Sequence, residues 1–88
     1  MKHNPDFVAR QVGEELVLVP VTRSASQLES IYTLNEVGAR IWSLIPECQS
    51  AEEIARRIAD EYDVEADEAL GDVHELLRQL RQIQAVID

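Results

Sequence analysis

The sequence predicts an α+β domain in which an N-terminal three-stranded antiparallel β-sheet is followed by a three-helix bundle. Three observations point there. Apolar and polar positions partly alternate in residues 7–12, and residues 15–19 form a short apolar run bounded by turn residues, both β signatures. From Asn35 onward the apolar residues recur at spacings of three and four, the helical period. The chain has 88 residues and is 45% hydrophobic, which suits one small globular domain, with nothing in the composition that calls for disorder. Only 5% of residues are aromatic, so Leu, Ile, Val and Ala must supply most of the core.

Taken in order, residues 1–6 read as a flexible tail that includes His3, and the single domain spans residues 1–88. Phe7–Val12 is the first strand, Gly13-Glu14 a turn and Glu15–Val19 the second strand, close enough to pair as a hairpin. Pro20 has no N–H, so it ends that ladder or confines it to an edge. Residues 22–30 (TRSASQLES) are polar and read as a loop. Ile31-Tyr32-Thr33-Leu34 is then a third short strand, rich in β-branched and aromatic residues.

Asn35 can N-cap the first helix, where Val37, Ile41, Trp42, Leu44 and Ile45 repeat until Pro46 stops it. Gly38 weakens that helix by up to about 1 kcal/mol relative to Ala, which implies close packing at that point. Ser50-Ala51-Glu52-Glu53 is a capping box, and Ile54, Ala55, Ile58, Ala59 and Tyr62 share one face of the helix it opens. A third helix starts near Ala66. Its main stripe is Ala66, Leu70, Val73, Leu77 and Leu80, with Ala69, Leu76 and Ile83 beside it and Gly71 as a soft point. Trp42, Ile54, Ile58, Leu70, Val73 and Leu77 are the expected core. Two stripes make a wider apolar band than one neighbour needs. Either the helix is central and touched on two sides, or its part around Leu76 and Gln79 lines a groove for a partner. Ala85-Val86-Ile87 suits a short terminal strand.

Charge narrows the partners. The net charge is −9; residues 51–88 hold four Arg against eleven Asp/Glu, and residues 1–50 hold four Lys/Arg against six Asp/Glu. Such a surface repels nucleic-acid phosphates and anionic membranes and favours a basic partner. No apolar run approaches the roughly 18 residues of a membrane span, and the start MKHNPDF lacks a signal-peptide core, so a cytoplasmic protein is expected. Nothing points to catalysis or to a cofactor or metal. Cys48 is the lone cysteine, with Glu47 beside it to raise a thiol pKa. His74 sits between Asp72 and Glu75, but neighbours one or two apart on a helix do not share a face. The carboxylates from Asp60 to Asp72 do not match a calcium loop.

Strands before helices is the order of a winged-helix-like domain. Tyr32-Thr33-Leu34-Asn35-Glu36-Val37-Gly38-Ala39-Arg40-Ile41-Trp42, Ser50-Ala51-Glu52-Glu53-Ile54-Ala55, Tyr62-Asp63-Val64 and Asp72-Val73 leading to Leu76-Leu77 and Leu80 narrow it further. Over roughly residues 7–87 the chain resembles the PqqD-like family, the recognition elements of ribosomally made, post-translationally modified peptides. The resemblance implies a protein that binds the leader of a precursor peptide by strand addition and presents it to a modifying enzyme, commonly a radical-SAM enzyme. It places Ile31, Tyr32, Thr33 and Leu34 at the receiving edge, with Asp72, Leu76 and Gln79 facing them from the third helix. Two other classes compete. A winged-helix DNA-binding regulator would share the fold, but the acidic charge opposes it. A structural subunit or homodimer could form by strand exchange around the 22–30 loop.

Overall fold

The computed structural model of the chain describes residues 1–21 and 31–87. Within them run β1 (Lys2–His3), β2 (Phe7–Val12), β3 (Glu15–Pro20), β4 (Tyr32–Leu34), α1 (Glu36–Leu44), α2 (Ala51–Tyr62), α3 (Ala66–Gln82) and β5 (Val86–Ile87). The loop expected at 22–30 lies outside the described residues. β2, β3 and β4 form an antiparallel sheet in that order, and the helices follow it, as the sequence predicts.

Each element ends where local chemistry ends it. Gly13 takes φ +62 in the two-residue turn between Val12 and Glu15, a conformation that costs glycine little. The Asn35 side chain accepts the Gly38 N–H at 2.8 Å to open α1, and the Ser50 hydroxyl accepts the Glu53 N–H at 3.2 Å to open α2. A Cβ on Gly38 would sit 3.3 Å from atoms of both Leu34 and Asn35, so the bare glycine lets α1 lie close against the end of β4. Asp63, in the left-handed region, ends α2.

The core gathers one side of the sheet and the inner faces of all three helices. Leu18, Leu44, Ile45, Ile54, Val73 and Leu80 are wholly buried, and Trp42 is buried beside them. Each large aliphatic side chain there stabilises the fold by about 1.5–3 kcal/mol. The stripe on α3 differs from the one read off the sequence. Ala69, Val73, Leu77 and Leu80 are buried, whereas Ala66 is exposed and Leu70 only half-buried. A strict 4-3-4-3 line has a 3.5-residue period and drifts around a straight helix of 3.6 residues per turn; the 4-4-3 line from Ala69 stays facing the core.

Residues 1–6 are not a tail. β1 pairs antiparallel with β5, Lys2 opposite Ile87 and His3 opposite Val86. The Asn4 N–H donates to the Ala85 carbonyl at 2.9 Å, and Asn4 Nδ2 to the Gln84 carbonyl at 2.7 Å. His3 stacks on Trp42 with ring centroids 3.7 Å apart and 5° between planes, and its Nε2 donates to the Trp42 carbonyl at 2.6 Å. The hydrophobic pattern could not reveal this strand, because two residues are too few to show a period. On the far side of α1, Arg40 grips Glu61 of α2 through a two-pronged contact, Nε to Oε1 at 2.7 Å and Nη2 to Oε2 at 2.9 Å. That contact holds the Glu61 carboxyl below its usual range. Among the described residues, no helix is long and apolar enough to cross a membrane.

The turn from α3 into β5 carries local strain. The Ala85 N–H donates to the Leu80 carbonyl at 2.8 Å and the Gln84 N–H to the Arg81 carbonyl at 3.0 Å, the paired bonds of a Schellman end. Its left-handed position is filled by Gln84 at φ 66, where glycine is the usual occupant. Gln84→Gly should therefore raise stability by about 0.5–1 kcal/mol, because a Cβ is disfavoured at positive φ. Urea denaturation of the two proteins checks this; a lower midpoint for the glycine variant contradicts it.

Candidate functional site

Among the described residues β2 and β4 are the edge strands of the sheet, and at β4 the hairpin dictates which backbone groups point away from β3. A two-residue turn closes on a hydrogen-bonded pair, so Val12 and Glu15 bond each other. Alternation along β3 then directs the backbone groups of Glu15, Val17 and Val19 toward β2 and those of Leu16 and Leu18 toward β4. Leu16 and Leu18 lie opposite Leu34 and Tyr32, which therefore bond inward. Thr33, opposite Val17, directs both its N–H and its C=O to the open side. Pro20 fits the same scheme: opposite Phe7 it occupies a position whose backbone N–H would face away from β2, so the ladder loses nothing by its absence.

A concavity of about 410 Å³ runs beside this edge. Tyr32, Thr33 and Leu34 supply one wall, and Asp72, Glu75, Leu76 and Gln79 of α3 the other. Asn35, Val37, Gly38 and Ile41 complete the lining, carried there because α1 starts directly after β4. The inner surface is apolar: Leu34 and Ile41 are buried, and Val37 and Leu76 half-buried. The rim is polar and acidic, with Thr33, Asp72 and Glu75 exposed.

A hydrogen-bonded chain spans the walls. The Tyr32 hydroxyl donates to Gln79 Oε1, and Gln79 Nε2 donates to Glu75 Oε1 at 3.0 Å. Arg78 Nη2 donates to the same Glu75 oxygen at 2.5 Å, and Arg78 Nε to the other at 3.2 Å. Arg78 first, and then Gln79, hold the Glu75 carboxyl below its usual range, so it is ionised at neutral pH.

Of the residues singled out from the sequence, Tyr32, Thr33, Leu34, Asp72, Leu76 and Gln79 share this concavity. Ile31 does not line it. It precedes β4 with 48% of its surface exposed, and beyond Tyr32 the next position of β3 that would bond toward β4 is Pro20, which has no N–H to extend the ladder. Sequence reasoning alone misses Val37, Ile41 and Glu75. Glu75 is within reach of helical spacing, three residues after Asp72 and four before Gln79; Val37 and Ile41 read from their period as core alone. His74 is exposed on another side of α3 and does not line the groove.

Comparison with known proteins adds two findings. The family model for coenzyme PQQ synthesis protein D (PqqD) matches residues 15–86. A solved structure, "TbiB1 in Complex with the TbiA(beta) Leader Peptide", is similar with a TM-score of 0.78 and 30% sequence identity, covering 100% of each chain. No curated protein matches.

Cys48, the one thiol, lies outside the groove and is 5% exposed. Burial raises its pKa, a hydrogen bond to Glu53 and that carboxylate's charge raise it further, and Arg57 only partly opposes them. The thiolate is the reactive form, so Cys48 is a packing residue here. Iodoacetamide at neutral pH should alkylate the folded protein at least about tenfold more slowly than the urea-unfolded chain. Equal rates would mean that Cys48 is accessible in the native state.

Proposed function

The chain belongs to the PqqD family, and from that premise we propose that it is a non-catalytic recognition element that binds the leader segment of a ribosomally made precursor peptide. The leader adds as a strand along β4 and is presented to a modifying enzyme, of the radical-SAM class by resemblance to other family members. One observation carries the mode of binding: Thr33 directs its N–H and C=O away from β3, at a sheet edge among the described residues and directly beside an apolar groove. A strand laid there bonds Thr33 through its backbone, which tolerates varied leader sequence. Alternate side chains would turn toward Leu34, Val37 and Leu76, and these select among leaders. The full-length likeness to a protein solved with a leader peptide supports the same class of ligand.

The acidic rim adds a preference. Asp72 and Glu75 stand at the α3 side of the groove, and among the described residues its lining contains no Lys or Arg. A leader with Lys or Arg next to its apolar anchor is favoured over an acidic one.

Calorimetry with a synthetic leader peptide that carries an apolar anchor and a Lys or Arg beside it tests the mode. Thr33→Pro removes the outward N–H without touching the bonds to β3, and should weaken binding roughly three- to tenfold, the net worth of about one hydrogen bond. Leu76→Asp places a charge against the apolar surface and should weaken it by more than about tenfold. Wild-type affinity in both folded variants would rule out strand addition at β4. A parallel titration at 50 and 500 mM salt reads the acidic rim. Affinity should fall with salt for a leader carrying Lys or Arg, since exposed charges are screened beyond about 8–10 Å at physiological ionic strength. A salt-independent affinity would assign the contact to apolar and backbone groups alone.

A further inference from the structure

The sheet has a second face that the core does not use. Leu18 points to the helices and is wholly buried, and its ladder partners Ala9 and Tyr32 share its side. Alternation then places Val8, Arg10 and Val12 of β2, Glu15, Val17 and Val19 of β3 and Thr33 of β4 on the opposite side. An antiparallel sheet with water on that side carries polar residues there, yet four of these seven are valine. The run Leu16-Val17-Leu18-Val19 is apolar toward both faces, the pattern of a strand covered from both sides. Val8 and Val12 are 39% and 61% exposed, so among the described residues the second side stays open. Two charges complete the face. Arg10 stands opposite Val17 and Glu15 two residues before it, and among the described residues neither belongs to an ion pair. Residues 36–87, which carry the helices, hold twelve Asp/Glu against five Arg, a net of −7, whereas this face holds one Arg and one Glu and is neutral.

We infer that this face docks against the same face of a second copy, forming a two-fold dimer in which the two sheets stack. Charge selects the occupant. A two-fold axis sets Arg10 of one copy against Glu15 of the other and repeats the pair in reverse, so a face with one charge of each sign complements itself. Two helical surfaces of net −7 repel each other, and the neutral valine face lets two copies of this chain meet without that repulsion. The four valines then lie between the sheets, where side chains of both inner faces interdigitate. Size sets the strength. Three strands about 4.8 Å apart, with up to six residues of about 3.4 Å each, make a face of roughly 15 by 20 Å. That is below the area of a permanent interface, so the dimer is weak and depends on concentration. The groove beside β4 stays open in both copies, because its α3 wall lies on the helix side of the sheet. The dimer stands independently of the function proposed above.

Sedimentation velocity of the full chain from about 1 μM to about 1 mM, the range of weak association, tests this. Physiological ionic strength is used, so that the −9 charge of each copy is screened. The sedimentation coefficient should rise with concentration toward that of a dimer. Arg10→Glu and Glu15→Arg should each raise the dissociation constant about tenfold or more, because each turns two attractive contacts into two like-charge ones. Both positions are exposed, so the fold tolerates the reversals. An equimolar mixture of the two variants should recover the wild-type association, since each copy then meets its opposite charge in the other. A wild-type chain that stays monomeric at the highest concentration overturns the proposal. So does a dimer that both reversals leave unchanged, which would assign the contact to another surface or to strand exchange around residues 22–30. A mixture that associates no better than either variant alone overturns it as well.

Discussion

Gly13 and Glu14 control the β4 edge of the sheet, although the turn they form joins only β2 to β3. A two-residue turn forces Val12 and Glu15 to bond each other, and after that no residue in β3 or β4 is free to choose its direction. A turn one residue longer would invert the alternation, and Thr33 would spend its N–H and C=O on β3. Tyr32 and Leu34 would then face the open edge with their backbones, and their side chains would leave the helix side of the sheet. The register that buries Leu18 under the helices is thus the register that turns the Thr33 N–H and C=O away from β3. Stability and the open edge come from one choice of turn.

α3 has the second organising role, because three surfaces meet on it. Ala69, Val73, Leu77 and Leu80 face the core, Leu76 and Gln79 face β4, and His74, Arg78 and Arg81 face the start of α2. A helix that serves three neighbours needs apolar residues around more than half of its circumference, which accounts for the breadth of its band. Glu75 lies where two of these surfaces adjoin. It accepts from Gln79 on the groove side and from Arg78 on the other, so any group that draws Arg78 away changes what Glu75 can offer to the groove.

Most of this architecture was legible in the sequence where a period or a cap spoke clearly. Strands 7–12 and 15–19, the Asn35 and Ser50 caps and the helix faces of α1 and α2 follow from local chemistry, and the structure has them there, with the second strand running one residue further to Pro20. The groove residues Tyr32–Leu34, Leu76 and Gln79 were also within reach, because a short strand next to a broad helix face is a local pattern in both partners. Three features were not. Ala66 and Leu70 fall into the expected core because a stripe on one helix does not say where its neighbour crosses. Ile31 falls into the expected strand because β propensity ignores that Pro20 has no N–H with which to extend the β3–β4 ladder past Tyr32. β1 was invisible because its stability lies in contacts more than 80 residues away and in the stack on Trp42, not in its own two residues.

That hidden strand explains how so small a domain keeps a groove open. The walls of the concavity come from β4, from α1 directly behind it and from α3, and a chain of this length has little core to spare for holding α1 and α3 apart at a set distance. β1 supplies an external tie. It pairs with β5, which follows α3 through the Gln84 turn, and it lays His3 flat on Trp42 in α1. One short segment therefore touches the end of α3 and the middle of α1 together. The tie is made of backbone bonds and a ring stack that lie away from the groove, so it sets the spacing of the walls without filling the space between them. The strained turn at Gln84 belongs to the same device: the left-handed residue aims β5 back across the helices to where β1 can reach it. The groove thus depends on residues near both ends of the 88-residue sequence, none of which lines it.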